Sequence, residues 1–365
     1  MIAFLLKFLL TGILFSVITA SVLLVFNSQR KYTAFELILY SLGFGPVITV
    51  LLLYYLLLLF PRQSNTFYMS VVIVFFSLIG ILSWRGFLLL IRNTREWFGT
   101  IRERRKTLTP LGKFKSSSYW SAVLVLLATF LILYLPTAFR IPIEQHDALV
   151  YGNLGKMYYN QKAIPYTKYM IPDRNGFYFQ GSQKPSFSLL LTWEMMLNSK
   201  PLNREKDFDL FYRSTTIYYG LLIIAVMFLW LYRKSPHLAL LGLLVIICSY
   251  GFVAMLMNYH LDTYRIFFLV MSWIWLGYTI KNRDKLSYFL LAVFSGFAGF
   301  THPIGLAVAL INMLALFLFD ESKWYIRIVK VAGIALIILV LGNFHYLLEI
   351  FYGSLSGYSS YVPAL

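Results

Sequence analysis

Residues 286–319 read LSYFLLAVFSGFAGFTHPIGLAVALINMLALFLF and contain no Asp, Glu, Lys or Arg. One membrane crossing by a helix takes about 20 predominantly apolar residues. The stretch therefore predicts two short membrane helices, 286–300 and 303–319, which meet at Thr301-His302-Pro303. One long helix broken at Pro303 is the alternative, because proline interrupts helices.

The same apolar pattern recurs along the whole chain of 365 residues and predicts an all-α polytopic membrane protein with about ten transmembrane helices. The composition agrees, since 59% of the residues are hydrophobic and 13% are charged, about half the charge of a soluble domain. The first run is predicted to be a membrane helix rather than a signal peptide, because it has only Lys7 near its start and no clear cleavage site. The predicted runs are 2–26, 34–60, 67–91, 119–138, 214–232, 237–257, 264–281, 286–300, 303–319 and 324–345.

The formal net charge of +17 is distributed in a way that predicts topology rather than a nucleic-acid partner. Most cations lie in short loops between apolar runs, and the strongest cluster, 92–118, carries eight cations against two carboxylates. Every second loop is basic, which places those loops in the cytoplasm. Cys248 is the single cysteine, so no disulfide framework forms within one chain.

These signals divide the chain into four predicted parts. They are a three-helix N-terminal membrane segment (1–92), a basic cytoplasmic interfacial linker (93–118), a membrane module (119–345) and an extracytoplasmic tail (346–365). Within the module, the polar segment 139–213 is predicted to be an extracytoplasmic loop of about 75 residues with two interfacial helices.

Polar residues that do not serve topology fall on the extracytoplasmic side. Ionisable groups at a membrane boundary are functional candidates, because burying them unpaired is costly. Asp147 follows a membrane helix and opens an amphipathic one, so it is either a helix N-cap or a carboxylate that takes a proton from an acceptor hydroxyl. Glu144 is the alternative base.

A second cluster follows the sixth run and consists of His260, Asp262 and Arg265. Arg suits phosphate oxygens because its donors form a planar fork, although a solvated hairpin with a snorkelling Arg has the same pattern. His260 and Asp262 are candidate ligands for a divalent cation such as Mg or Mn. Lys184 and His302 are further candidate site residues on this side, each with a structural alternative.

The order of these pieces resembles the GT-C superfamily, membrane glycosyltransferases that use polyprenyl-phosphate sugars, such as protein mannosyltransferases and the aminoarabinose transferase of lipid A. The resemblance rests on five stretches. They are Glu144-Gln145-His146-Asp147-Ala148-Leu149-Val150-Tyr151, Ala163-Ile164-Pro165-Tyr166, Lys184-Pro185-Ser186-Phe187, Tyr264-Arg265 and the glycine-rich Gly296-Phe297-Ala298-Gly299-Phe300-Thr301-His302-Pro303-Ile304-Gly305-Leu306.

The resemblance covers 119–345 and implies a GT-C-like module that transfers a sugar, with inversion, from a polyprenyl-phosphate donor to an extracytoplasmic glycan, lipid or protein. It further implies that Asp147 is the base, with Glu144 supporting or replacing it. The residues then expected to bind the donor phosphate are Arg265, His260, His302 and Lys184. The active site is expected to face outward, and the single cysteine with Ile-, Phe- and Lys-rich usage predicts the bacterial inner membrane as its location.

The chain departs from the family at three points. Ala148 stands where the family often has Glu, three helices precede the module, and the chain ends soon after it, where many members continue. An O-antigen polymerase or ligase, or a transporter of lipid-linked glycan, is therefore the alternative function. A transporter predicts mid-membrane charges and repeated halves, and the sequence shows neither.

Overall fold

A computed structural model describes residues 2–27, 32–107, 110–138, 146–164, 185–198, 205–257 and 262–348. This part of the chain is α-helical and contains no strand. The helices are α1 (Ile2–Phe26), α2 (Ala34–Leu59), α3 (Asn65–Leu82), α4 (Trp84–Thr107), α5 (Pro110–Ala138), α6 (His146–Gln161), α7 (Pro185–Asn198), α8 (Glu205–Tyr232), α9 (Pro236–Cys248), α10 (Tyr250–Met257), α11 (Asp262–Asn282), α12 (Lys285–Thr301), α13 (Pro303–Phe319) and α14 (Trp324–Ile338), followed by a π-helical turn (Leu339–Asn343).

By length and composition, four helical segments among the described residues are able to cross a membrane, and six are if two bent pairs each count as one span. Many large apolar side chains are exposed on the surface of the helices; for example, 85% of Leu82 is exposed. Both features are compatible with a membrane protein. The count of ten spans stays a prediction. The four segments are Asn65–Leu82, Ser116–Tyr134, Ser214–Tyr232 and Trp324–Leu348, and the bent pairs lie in α2 and in α9 with α10.

The stretch 286–319 forms two helices, α12 and α13, rather than one broken helix. Between them His302 has an extended backbone (φ −161°, ψ 147°), and Pro303 opens α13 where its missing N–H costs nothing. The helices cross closely, because a Cβ on Gly305 would lie 1.9 Å from the carbonyl oxygen of Ala298. Glycine at this position therefore permits the tight hairpin.

Helix α2 bends by 41° next to Pro46. Two hydroxyl groups of α8 donate hydrogen bonds to backbone carbonyls of α2 at this bend. Proline removes one helical hydrogen bond and leaves the carbonyl four residues earlier without its donor. The hydroxyl of Tyr218 donates to that carbonyl, on Leu42, at 2.6 Å. The hydroxyl of Tyr219 donates to the next one, on Gly43, at 3.0 Å. The N-terminal helices are thus hydrogen-bonded to the predicted membrane module.

The sequence predicts that the second helix of the polar segment dips into the membrane interface, whereas the structure buries it among other helices. Every residue of α7 from Pro185 to Met196 is buried. It packs on α6, where Ser188 Oγ donates to the carbonyl of Tyr151 and Thr192 Oγ1 to that of Gly155, both at 3.0 Å. Its apolar composition thus reflects burial among other helices.

The third predicted run, 67–91, also differs from the structure. Helix α3 ends at Leu82, and α4 begins at Trp84 and continues to Thr107, across the predicted boundary between the N-terminal segment and the linker. The turn between them is held by the Ser83 hydroxyl, which lies 2.7 Å from that of Ser21. Arg85 consequently lies in the first turn of a new helix and is exposed.

Two polar layers lie at opposite ends of α11. One end carries Arg265, and the other carries Tyr278, whose ring lies beside Arg233 and Glu36. We call these the Arg265 end and the Glu36 end. The 13 residues from Arg265 to Tyr278 span about 20 Å at 1.5 Å per residue, so α11 separates the two polar layers by most of the thickness of a bilayer core.

At the Glu36 end, the buried carboxylate of Glu36 pairs with the guanidinium of Arg233. The Glu36 carboxylate also accepts from the Thr33 backbone N–H at 2.8 Å and forms a capping box at the start of α2. The ion pair between Glu36 and Arg233 joins the start of α2 to the residue that follows α8.

Candidate functional site

Three helices begin at the same place, at the Arg265 end. The Nη2 of Arg265 on α11 donates to the hydroxyl of Tyr151 on α6 at 3.2 Å. The hydroxyls of Ser186 on α7 and Tyr264 on α11 lie 2.6 Å apart. The ring of Phe187 on α7 contacts those of Tyr151 and Tyr264, with centroids 6.0 and 5.9 Å apart. The second turn of α6 and the first turns of α7 and α11 therefore form one cluster, which we call the Arg265 site.

The guanidinium at the centre of the Arg265 site is largely buried, with 18% of the side chain exposed. Its Nη1 donates to Asp262 Oδ1 at 3.1 Å, and its Nε is buried without a hydrogen-bond partner among the described residues. A buried donor without an acceptor is costly. The Arg265 site therefore has an unused N–H donor for an acceptor such as a phosphate oxygen, which would share the guanidinium with Asp262.

The two residues that precede Arg265 are held by α8. Tyr264 is fully buried against the ring of Tyr219 on α8, with centroids 4.7 Å apart. The hydroxyl of Thr263 donates to the carbonyl of Thr216 on α8 at 3.0 Å. Because Thr263 and Tyr264 are fixed against α8, the guanidinium is presented from a rigid helix start. Positive helix N-termini at the same place add to its attraction for an anion.

The predicted base lies at the start of this arrangement. Asp147 is in the first turn of α6, four residues before Tyr151, which is one helical turn. The structure describes its backbone and not its side chain. Three other predicted site residues lie outside the described residues: Glu144, Lys184 and His260. In the chain, Glu144 is three positions from Asp147. Lys184 is two positions from Ser186, and His260 is two positions from Asp262. Their roles stay predictions.

His302 has a structural role at the break between α12 and α13. Its Nδ1 accepts a hydrogen bond from the Ile304 backbone N–H at 3.1 Å, which caps α13. No contact joins it to Arg265 among those described, and phosphate binding by His302 remains a prediction.

The metal prediction receives no support from the geometry. No group of three or more His, Cys, Asp or Glu side chains able to hold a metal occurs within the described residues. The Asp262 carboxylate is already paired with Arg265. A cation there would have to displace the guanidinium, so we derive no step through a metal.

Tyr151 is the residue of the site whose role the sequence did not indicate. It stands four residues after Asp147, so both lie on one side of α6. The spacing of Asp147 and Tyr151 is visible in the sequence, but Arg265, the partner of Tyr151, is 114 residues away in the chain. The pairing of α6 with α11 therefore became visible only in the fold.

Lys162 lies just beyond α6, at the far end of that helix from Tyr151. Its Nζ donates to the Tyr159 carbonyl and lies 3.7 Å from the centroid of the Tyr159 ring. Its own carbonyl accepts from the Arg62 N–H at 2.8 Å and from the Tyr68 hydroxyl at 3.3 Å. Burial lowers the pKa of Lys162 to about 8.

This shift predicts a pH-dependent stability. An unfolded lysine has a pKa of about 10.4, so between about pH 8 and 10.4 the unfolded chain binds more protons than the folded one. Stability should then rise with pH through that window and change little below it. Thermal unfolding in detergent across this range should show a rise for the wild type and a flatter profile for Lys162→Met. Lys156→Met, on α6, removes the same charge, and equal flattening by that variant would contradict the assignment.

Comparison with known proteins adds no name to this site. No family model, no curated protein and no solved structure matches the chain.

Proposed function

We propose that the chain is a membrane-embedded glycosyltransferase that takes a sugar from a polyprenyl-phosphate donor. The observation that supports the proposal best is the convergence of α6, α7 and α11 on the buried Arg265. These helix starts carry three of the five stretches with GT-C resemblance. Their meeting places a buried guanidinium at one end of an apolar bundle, which is where the phosphate of a membrane lipid would lie.

The chemistry assigns a role to each side of the Arg265 site. An acceptor hydroxyl attacks the anomeric carbon of the sugar, the bond from that carbon to the phosphate oxygen breaks, and the lipid phosphate leaves with the bonding electrons. Asp147, at the start of α6, takes the proton of the hydroxyl. Arg265 neutralises the charge that grows on the departing phosphate. The prenyl chain lies along the apolar helices.

Several features of the proposal rest on the sequence. The count of ten spans comes from the apolar runs of the sequence, and the extracytoplasmic side of the Arg265 end comes from the charge pattern of the loops. The bacterial inner membrane is inferred from the single cysteine and the Ile-, Phe- and Lys-rich composition. The acceptor class follows from the resemblance. We infer that the Glu36 end is cytoplasmic, because its loops include the basic pairs Arg233-Lys234 and Lys281 with Arg283 and Lys285.

Transfer from a labelled donor tests the function. Proteoliposomes with the full chain are supplied with a mixture of radiolabelled polyprenyl-phosphate sugars and a membrane extract as the source of acceptor. We expect label to leave the lipid fraction, and empty liposomes with the same extract should leave it in place. If no donor is consumed by folded protein, the glycosyltransferase proposal fails, and a polymerase or a transporter of lipid-linked glycan becomes the better function.

A further inference from the structure

Helix α4 docks on the bundle by one narrow face. Gly86 lies against the backbone of α1, since a Cβ there would be 1.9 Å from the carbonyl oxygen of Ser21. Leu90, one turn later, is buried as well. The contact with Ser21 and Val25 places the start of α4 near the last turn of α1. Helix α4 thus begins at the level of the Glu36 end.

The opposite face of α4 is exposed and combines two stripes. Trp84, Leu88 and Ile91 recur at helical spacing and are exposed. Arg85 and Arg92, seven residues apart, form a parallel row beside them and are exposed too. Arg95 extends the cationic surface. The face therefore presents an apolar strip with a row of guanidinium groups along it, which we call the α4 face.

The charge of the α4 face is largely uncompensated. Arg92 is 3.6 Å from Glu96, but both side chains are more than half exposed, and such pairs contribute little. Arg85 and Arg95 have no ion-pair partner among the described residues. Over its whole length α4 carries seven Lys and Arg residues and two carboxylates. A partner for this face must bring negative charge and accept apolar side chains beside it.

We propose that the α4 face binds the headgroups of anionic phospholipids. The apolar strip enters the boundary between headgroups and acyl chains, as amphipathic helices do, and the arginines reach the phosphodiester oxygens beside it. A soluble acidic protein would satisfy the arginines but not the exposed Trp84 and Leu88. The position of the helix at the end of an apolar bundle supplies the membrane. This inference does not depend on the glycosyltransferase proposal.

Lipid binding to the intact, detergent-solubilised chain tests the inference. Native mass spectrometry measures the affinity for phosphatidylglycerol and for phosphatidylcholine in the wild type and in Arg85→Gln/Arg92→Gln/Arg95→Gln. We expect a preference for phosphatidylglycerol in the wild type and at least a tenfold loss of that affinity in the triple variant, because one cation near a lipid surface is worth about fivefold. Phosphatidylcholine binding should hardly change.

A matched control removes three exposed lysines at the same end of the bundle. Lys281→Gln/Lys285→Gln/Lys323→Gln lowers the charge equally and leaves α4 intact. This variant should bind phosphatidylglycerol within about twofold of the wild type. Equal losses in both triple variants, or no loss in the arginine variant with its thermal unfolding unchanged, would overturn the proposal. A Leu88→Gln variant should weaken binding of both lipids, and unchanged binding would show that the apolar strip takes no part.

Discussion

Sugar transfer by Arg265→Gln is expected to fall by about a hundredfold to a thousandfold, the usual cost of removing one preorganised group that stabilises developing charge. Arg265 lies where the N-terminal turns of three helices meet. Glutamine keeps much of the shape of the arginine side chain and removes its charge. Arg265→Lys retains the charge but loses the planar fork that reaches Tyr151 and Asp262. We expect its activity to lie between those of the wild type and the glutamine variant.

The measurement is initial transfer rate in proteoliposomes as a function of donor concentration. Loss of charge at a leaving phosphate should lower kcat and also raise KM, because the ground-state donor carries a phosphate as well. Lys281→Gln, an exposed cation at the Glu36 end, should transfer at the wild-type rate. A glutamine variant that keeps its fold and stays within threefold of the wild type would remove Arg265 from the mechanism.

Asp147→Asn separates the base from the phosphate site. A general base acts on the acceptor hydroxyl, so its loss lowers kcat and leaves donor affinity in place. Donor binding can be followed with a non-transferable polyprenyl phosphate, which Arg265→Gln should bind weakly and Asp147→Asn should bind normally. Near-normal turnover by Asp147→Asn would exclude that residue as the base.

The sequence carried the local features of this arrangement, and the fold supplied the long-range ones. Helix starts at Asp262 and Pro303 could be predicted because Asp and Pro favour first turns. The end of α3 at Leu82 could not, because the Ser83 turn rests on a hydrogen bond to Ser21 on another helix. An apolar run shows that a helix will be buried, but not whether lipid or protein covers it.

The site followed the same division. Arg265 and Asp262 are three residues apart, so their pairing within the first turn of α11 was open to prediction from spacing. The placement of α7 was not, since its apolar residues fit an interface as well as a core. The partner of Glu36 could not be predicted from the sequence for a related reason. Arg233 lies 197 residues further along the chain, and only the docking of α8 against α2 brings it near.

Arg233→Met is expected to destabilise the protein by about 3–5 kcal/mol, the usual cost of leaving a buried charge without its partner. The side chain of Glu36 is 2% exposed, so water cannot replace the guanidinium. Arg233 itself is 31% exposed and also lies over the rings of Tyr32 and Tyr278. Glu36→Gln should therefore cost less than Arg233→Met, because the arginine that remains can still reach solvent.

The double variant Glu36→Gln/Arg233→Met distinguishes loss of the ion pair from loss of packing. With both charges removed, no ion is left buried, so the double variant should be more stable than Arg233→Met alone. The free energy of unfolding is measured in mixed micelles for all three variants. Arg283→Met is the matched control, since it breaks an exposed pair with Glu321 and should cost less than about 1 kcal/mol.

Two results would contradict this account of the Glu36 end. If Arg233→Met cost no more than Arg283→Met, the Glu36–Arg233 pair would not be buried in the folded protein. If the double variant were as unstable as Arg233→Met, the loss would come from the contacts of Arg233 with Tyr32 and Tyr278 and not from charge. The expected order follows from exposure alone: the less exposed partner is the one that tolerates isolation least.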